Sequence, residues 1–241
     1  VIMQKSKLNR FIEKYHLGGN VNSVVLTTND NNLETRFMSG DKSLLGELKM
    51  KNWKFENSEL GVYDTEQLTK LLSVLGEDIT IDLSASNGKS VALKVKDDNA
   101  SVNYMLSDLS VINKPPQLKN VPEFELRLKV DSTFIKKFIA GKKALSETDS
   151  FTVLSDGESV KIVIGYSSIN TNRVTIPAES ENYVDIENVS FNANLFSDVL
   201  TANGECESAT LEISSQGLGR INFKVDDYDV TYWLVATTTV D

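Results

Sequence analysis

The sequence contains few of the residues on which covalent catalysis and metal binding most often depend. Among its 241 residues there is one cysteine, Cys206, and one histidine, His16. A single cysteine excludes an internal disulfide framework. A single histidine excludes most histidine-based metal sites and leaves no evident partner for a histidine-dependent nucleophile. Gly88-Lys89-Ser90 resembles the end of a phosphate-binding loop, but Leu83 stands where that loop needs its first glycine. We therefore expect no metal, no cofactor and no catalysis that depends on cysteine or histidine.

Long hydrophobic runs are also missing. No segment approaches the roughly 18 consecutive apolar residues that a membrane-spanning helix needs. The N-terminal residues lack the apolar stretch of a signal peptide. We therefore expect a cytoplasmic protein without a membrane partner.

Basic residues are outnumbered, and they are scarce in the second half of the chain. The 25 Lys and Arg stand against 34 Asp and Glu, a formal net charge of −9, which argues against a nucleic-acid-binding surface covering the whole protein. Residues 1–143 carry a net charge of roughly +3, and residues 144–241 roughly −12. Either the acids form a solvated face, or the protein repels nucleic acid over its outside and attracts it at one restricted surface. The net charge alone leaves both interpretations open.

Four segments have the apolar spacing of amphipathic helices. Helices are predicted over residues 6–15, 65–75, 132–143 and 193–202, and the last three follow the N-cap candidates Asp64, Asp131 and Asn192. Alternating or β-branched runs lie between the helices and predict strands, which between the first and second helices cover residues 21–28, 33–38 and 44–55. Asn87-Gly88 between two such runs predicts a hairpin.

The predicted order of helix, three strands, helix, three strands occurs twice. Corresponding helices start about 125 and about 128 residues apart. Thr80-Ile-Asp-Leu-Ser84 matches Thr210-Leu-Glu-Ile-Ser214, and Leu93-Lys94-Val95 matches Phe223-Lys224-Val225. We predict an α+β protein with a duplicated domain: residues 1–112 form the first domain, 113–122 a connector and 123–241 the second domain.

On these features the chain resembles the two-domain DNA sliding clamps, which include proliferating cell nuclear antigen (PCNA) and the processivity clamps of tailed bacteriophages. Residues 60–75 look like the second helix in the first domain of a phage clamp, and residues 37–48 and 232–236 are similar to a loop and the last strand of that family. The resemblance implies antiparallel sheets on the outside and two helices per domain lining a central hole. Helix 193–202 departs from a basic lining, because it carries Asp198 and no Lys or Arg.

The resemblance also implies an assembly. The expected form is a closed homotrimeric ring in which the strand around residues 101–106 pairs with the strand around residues 173–177 of a neighbour. Such pairing removes exposed strand edges, and head-to-tail contacts close a ring only when the rotation per subunit fits. The interface residues expected from this pairing are Ser101, Asn103, Met105, Arg173, Thr175 and Pro177.

The function implied is that of a DNA polymerase processivity factor, a viral protein if of phage origin, acting in the cytoplasm of an infected bacterium. It would encircle double-stranded DNA without reading its sequence, and a clamp-loader ATPase would open the ring. Basic faces occur on the first helix of each repeat, opposite the apolar stripes, which favours phosphate contact over the alternative of a plain solvated face. The predicted DNA-binding residues are Lys5, Lys7, Arg10, Lys14, Lys136, Lys137, Lys142 and Lys143.

A hydrophobic pocket for a polymerase C-terminal peptide is the second site that the resemblance implies. Such pockets bind aromatic or aliphatic anchors. Its expected residues are Met38, Leu45, Leu48, Val111, Ile112, Leu118, Val235 and Ala236. Plain core packing is the alternative, above all for Leu45 and Leu48.

Two rival functions remain at this point. A β-rich structural or virion protein that does not bind DNA would share the strand content and the acidic surface. A hydrolase with paired carboxylates has nominal candidates among the many acids, but no two of them stand in a recognisable arrangement.

Overall fold

A computed structural model of the chain describes residues 1–237. The order strand, helix, four strands, helix, three strands occurs twice. The helices are α1 (Lys5–His16), α2 (Thr65–Leu72), α3 (Ser132–Ala144) and α4 (Ala193–Ala202). Corresponding helices start 127 residues apart, from Lys5 to Ser132, and 128 residues apart, from Thr65 to Ala193. The α+β class and the duplication are confirmed.

All strand pairings given by the structure are antiparallel. The strands of the first repeat are β1 (Ile2–Gln4), β2 (Val24–Asn29), β3 (Asn32–Met38), β4 (Leu44–Met50), β5 (Ser58–Val62), β6 (Asp78–Ser86), β7 (Lys89–Lys96) and β8 (Ser101–Met105). Those of the second are β9 (Leu126–Asp131), β10 (Ser150–Asp156), β11 (Val160–Ile164), β12 (Val174–Ala178), β13 (Asp185–Asn192), β14 (Ser208–Ser214), β15 (Leu218–Val225) and β16 (Tyr228–Val235).

The predicted count of three strands between the first and second helices of a repeat was wrong, because the structure has four strands there in each repeat. The sequence prediction missed β1 and β5, two of the shortest strands, and extended β4 to residue 55, although it ends at Met50. Helix α2 ends at Leu72 rather than at residue 75. Leu75 is nevertheless buried, so the apolar spacing continues past the last helical turn and gives no signal of the end.

The chain divides into two compact units. The first contains residues 1–37, 47–116 and 226–229, and the second contains residues 38–46, 117–225 and 230–237. Strands β4 and β16 therefore each contribute residues to both units. The domain boundaries at residues 112 and 123 stay a prediction.

In the first unit, one sheet has the order β1-β6-β7-β8, and strands β5-β2-β3-β4 follow one another in a second sheet. Helices α1 and α2 contact each other. Tyr15 of α1 is fully buried, lies edge-on to Phe11 at 5.9 Å between ring centroids, and shares a 3.1 Å hydrogen bond with the hydroxyl of Thr65 in α2. Burial raises the pKa of Tyr15, so its hydroxyl stays protonated and keeps this bond.

In the second unit, the corresponding orders are β12-β11-β10-β13 and β16-β15-β14-β9. A cluster of aromatic rings joins α3 to α4 and to the sheet. The ring of Phe138 on α3 packs edge-on against Phe151 at 5.2 Å and against Phe196 of α4 at 5.0 Å. Because this face of α3 is fixed inward, the opposite face is left on the surface.

The local start and turn signals are confirmed. The side chains of Asp64, Asp131 and Asn192 each accept a 2.9 Å hydrogen bond from a backbone N–H in the first turn of the helix that follows. Asn87 and Gly88 have φ of 51° and 75°, as the hairpin between β6 and β7 requires. Within residues 1–237, no helix combines the length and the apolar character needed to cross a membrane.

Candidate nucleic-acid interface

Helix α3 presents an exposed basic face. Lys136, Lys137 and Lys143 are exposed, and none of them forms an ion pair with another residue in the range 1–237. The helix itself contains no acidic residue. Its cations are therefore available to a negatively charged ligand.

Lys142, on the same helix, corrects one sequence-based expectation. It is buried, and its Nζ donates hydrogen bonds to the carbonyl oxygens of Ser146 at 2.7 Å and Leu145 at 3.3 Å. A lysine in the last turn of a helix satisfies carbonyls that have no helical partner and complements the helix dipole. Lys142 thus binds the chain just after the helix and is not exposed to a ligand.

The cations of α1 are held by other parts of the first unit. Lys5 donates a hydrogen bond to the carbonyl oxygen of Leu75. Lys7 forms an ion pair with Asp227, and both terminal guanidinium nitrogens of Arg10 lie 3.0 Å from Oδ2 of Asp226. The hydrogen bond from Lys7 holds the pKa of Asp227 below its usual value.

Lys14 is a second correction. The spacing of basic residues predicts that it shares an exposed face with Lys7 and Arg10, but Lys14 is 1% exposed. Its Nζ lies 5.2 Å from the ring centroid of Tyr228, within cation–π range, and the Arg10 guanidinium lies 4.7 Å from the same centroid. The Tyr228 hydroxyl donates a 2.7 Å hydrogen bond to the Lys7 carbonyl.

The acidic turn Asp226–Asp229, which joins β15 to β16 and includes the first two residues of β16, is the feature that sequence reasoning missed. Its three Asp residues are visible in the sequence, and such residues are typical of a turn between strands. No local signal indicates that it packs on a helix more than 200 residues earlier in the chain, because the contact follows from the fold.

Two strands with the predicted interface residues lie at sheet ends. Strand β8 is the last strand of its sheet in the first unit, and β12 is an end strand in the second. The side chains named for the interface, Ser101, Asn103, Met105, Arg173, Thr175 and Pro177, are all exposed. Proline is tolerated at a sheet edge because its missing N–H leaves no ladder partner unsatisfied there.

Arg173 has internal contacts as well. Its guanidinium donates to the carbonyl oxygens of Ile169 at 3.0 Å and Ser167 at 3.3 Å. It therefore fixes the loop before β12, in addition to any contact with a neighbour.

The residues predicted for the peptide pocket differ in exposure. Leu45, Leu48 and Ile112 are buried; Met38, Leu118 and Ala236 are half-buried; Val111 and Val235 are exposed. The exposed valines are apolar groups that a peptide can cover. The pocket itself stays a prediction.

A metal centre has no counterpart in the structure over residues 1–237, where no group of three or more His, Cys, Asp and Glu side chains is arranged to hold an ion. Cys206 is buried and donates a 3.2 Å hydrogen bond to the Ser208 carbonyl.

Solved structures share this fold over nearly their whole length. The crystal structure of PCNA from Entamoeba histolytica has a TM-score of 0.76 at 15% sequence identity, and the match covers 98% of this chain and 97% of that one. The structure of the C-terminal region of FEN-1 bound to A. fulgidus PCNA has a TM-score of 0.77 at 17% identity, with 100% and 99% covered. No family model matches the sequence, and no curated protein matches it. The chain has the fold of the PCNA clamps, and the resemblance inferred from the sequence is confirmed for the fold.

Proposed function

We propose that this protein is a DNA sliding clamp that acts as a polymerase processivity factor. Three copies would form a ring around duplex DNA, a clamp-loader ATPase would open it, and a DNA polymerase would bind it through a C-terminal peptide. The clamp would have no enzymatic activity. The observation that carries this proposal is the match to two PCNA structures over at least 97% of every chain compared.

The placement of charge supports DNA as the partner. A ring stays on DNA by topology, so it needs only weak phosphate contacts inside, and such contacts are sequence-independent and screened by salt. The exposed lysines of α3 are suited to this, while a formal net charge of −9 discourages binding of DNA elsewhere.

The two sheet ends support self-assembly. Strands β8 and β12 each end a sheet, and unpaired backbone groups at such an end pair readily with another strand. Joining β8 of one copy to β12 of the next would give the unpaired backbone groups of both strands hydrogen-bond partners. Repeating this head-to-tail contact with a suitable rotation closes a ring.

A peptide partner is supported by one of the similar structures, in which PCNA of A. fulgidus is bound to the C-terminal region of FEN-1. The exposed Val111 and Val235 would contribute to the corresponding site here. A tailed bacteriophage is the source that we propose, on the resemblance of residues 37–48, 60–75 and 232–236.

Retention on circular DNA tests this function. The subunits are dissociated, mixed with a nicked circular plasmid, allowed to reassemble and chemically cross-linked, and the complexes are washed at high salt. We expect cross-linked rings to stay on the circle and to leave it once a restriction enzyme cuts the plasmid.

Light scattering on the free protein gives an independent measure of assembly, with an expected mass of three times the 26.7 kDa chain. Equal retention on circular and linear DNA would contradict topological linkage. A stable monomer at micromolar concentration that never assembles on DNA would favour the β-rich structural or virion protein instead.

A further inference from the structure

The first helices of the two repeats differ in charge balance. Helix α1 and the turn Asp226–Asp229 together carry equal numbers of basic and acidic side chains, namely Lys5, Lys7, Arg10 and Lys14 against Glu13, Asp226, Asp227 and Asp229. Helix α3 carries Lys136, Lys137, Lys142 and Lys143 and no acid. The sequence alone makes the two helices look equivalent, but only α3 keeps an excess of positive charge in the structure.

The turn is attached to α1 by more than its ion pairs. Asp227 accepts a 2.9 Å hydrogen bond from Nδ2 of Asn52 in addition to the bond from Lys7. Its carbonyl oxygen accepts a 2.9 Å bond from the backbone N–H of Lys51, and the Tyr228 hydroxyl binds the Lys7 carbonyl. The carboxylates are therefore fixed beside the cations by groups that a phosphate cannot displace.

This arrangement weakens any attraction of α1 for DNA. The Lys7 and Asp227 side chains are 29% and 32% exposed, so a phosphate would have to replace a carboxylate that is partly buried and held at several points. Asp226 is 65% exposed and would face the phosphate with a like charge. The cation–carboxylate pairs thus leave α1 with little net positive potential.

We propose that Asp226 and Asp227 limit the attraction between this protein and DNA by neutralising α1, so that α3 carries the phosphate contact through Lys136, Lys137 and Lys143. This inference rests on the proposed clamp function. A trimer would then hold the duplex at three helix surfaces rather than six. Fewer and weaker contacts favour sliding. When a basic side chain leaves a phosphate, counterions must condense on that phosphate again, which costs free energy.

The test is the affinity for a short fluorescent DNA duplex, measured by anisotropy over a range of NaCl concentrations. In Asp226→Asn with Asp227→Asn, Lys7 and Arg10 lose their neutralising charges. We expect at least about threefold tighter binding at low salt and a slope of log affinity against log salt that is steeper by about 1 to 2. Lys136→Gln with Lys137→Gln should weaken binding and make the slope shallower by a similar amount.

The matched control is Glu187→Gln with Glu207→Gln. These acids are exposed, have no ion pair with any other residue in the range 1–237, and give the same change in net charge. Asn suits position 226, where φ is 51°, because it tolerates the left-handed conformation. Circular dichroism checks the fold, and the single Asp226→Asn variant, which keeps the Lys7–Asp227 pair, replaces the double variant if that one unfolds.

Tighter DNA binding by Asp226→Asn with Asp227→Asn than by the control supports the inference. If Asp226→Asn with Asp227→Asn binds DNA like the wild type, or gains no more affinity than the control, neutralisation by the turn is overturned. Weaker binding by Lys136→Gln with Lys137→Gln would still support DNA binding. Absence of binding by the wild type and by every variant at low salt would overturn the phosphate contact through α3, whereas the clamp function would still be decided by retention on circular DNA.

Discussion

At the scale of single residues, Gly61 shows how closely the backbone packs in the first unit. A Cβ atom at this position would overlap the carbonyl oxygen of Ser107, and the Ser107 N–H donates a 2.9 Å hydrogen bond to the Gly61 carbonyl. The Ser107 oxygen is a backbone atom, so it cannot move away by a change of rotamer as a side-chain atom can.

Gly61→Ala should therefore lower the free energy of unfolding by about 1 to 3 kcal/mol, as overpacking does. The measurement is urea denaturation at fixed protein concentration, because assembly contributes to apparent stability. Gly40→Ala is the control, since nothing lies within 4 Å of a Cβ there, and its stability should match or slightly exceed the wild type. Equal losses at both positions would mean that the Ser107 contact is not the cause.

Single residues also set what can be read from the sequence. Asp64, Asp131 and Asn192 each bond to a backbone group three residues ahead, and Asn87 acts through its own backbone conformation, so their roles were predictable. Lys14 is buried against Tyr228, which is distant in sequence. Lys142 is buried against the residues directly after α3, which are close in sequence. For Lys142, its place in the last helical turn was the available signal, since lysines there often bind the terminal carbonyls.

At the scale of elements, α3 depends on its N-cap. Asp131 accepts a 2.9 Å hydrogen bond from the Phe134 N–H, and Phe134 and Phe138 anchor the inner face of the helix. Asp131→Ala should lower the free energy of unfolding by about 1 kcal/mol, measured as a shift of the urea midpoint.

Asp131→Asn keeps the acceptor while removing the charge, and its loss should be much smaller, because Asn and Asp are comparable N-caps. A loss as large for Asn as for Ala would place the effect in the charge of Asp131, whose Oδ2 lies 3.8 Å from Nζ of Lys129, rather than in the cap.

Helices and strands were predictable where the spacing of apolar residues agrees with the residues that begin and end the element. Helix α4 was predicted with its bounds because Asn192 begins it and the chain turns at Gly204 soon after its end. Strand β1 has three residues, too few for alternation to register, and β5 contains Gly61, which weakens a strand pattern. Their pairing with β6 and β2 comes from partners elsewhere in the chain, so a local window holds no signal for them.

At the scale of the whole molecule, the duplication was the most reliable signal, because a pattern of helices and strands that occurs twice is stronger evidence for a fold than a pattern that occurs once. The same reasoning gave the first helices of the two repeats equal surroundings, and the structure shows that these surroundings differ. The turn Asp226–Asp229 covers α1, whereas α3 keeps exposed lysines, and this difference arises only once the chain is folded.

Assembly through β8 can be tested at one backbone atom. Leu106 donates a 3.0 Å hydrogen bond to the Val91 carbonyl, and the Asp97 N–H donates one of 3.0 Å to Ala100. Because hydrogen-bonded positions alternate along an antiparallel pair, Val102 and Tyr104 bond to β7, and the N–H of Asn103 points to the open edge.

Asn103→Pro removes that outward donor without removing a bond to β7. If copies join by strand pairing at this edge, the variant should assemble poorly: light scattering should show a shift from trimer toward monomer, with the circular dichroism spectrum unchanged. Asn103→Ala keeps the N–H and should remain trimeric. A proline variant that stays fully trimeric would exclude strand pairing at β8 as the contact between subunits, because the added strand could not bond to the backbone at this position.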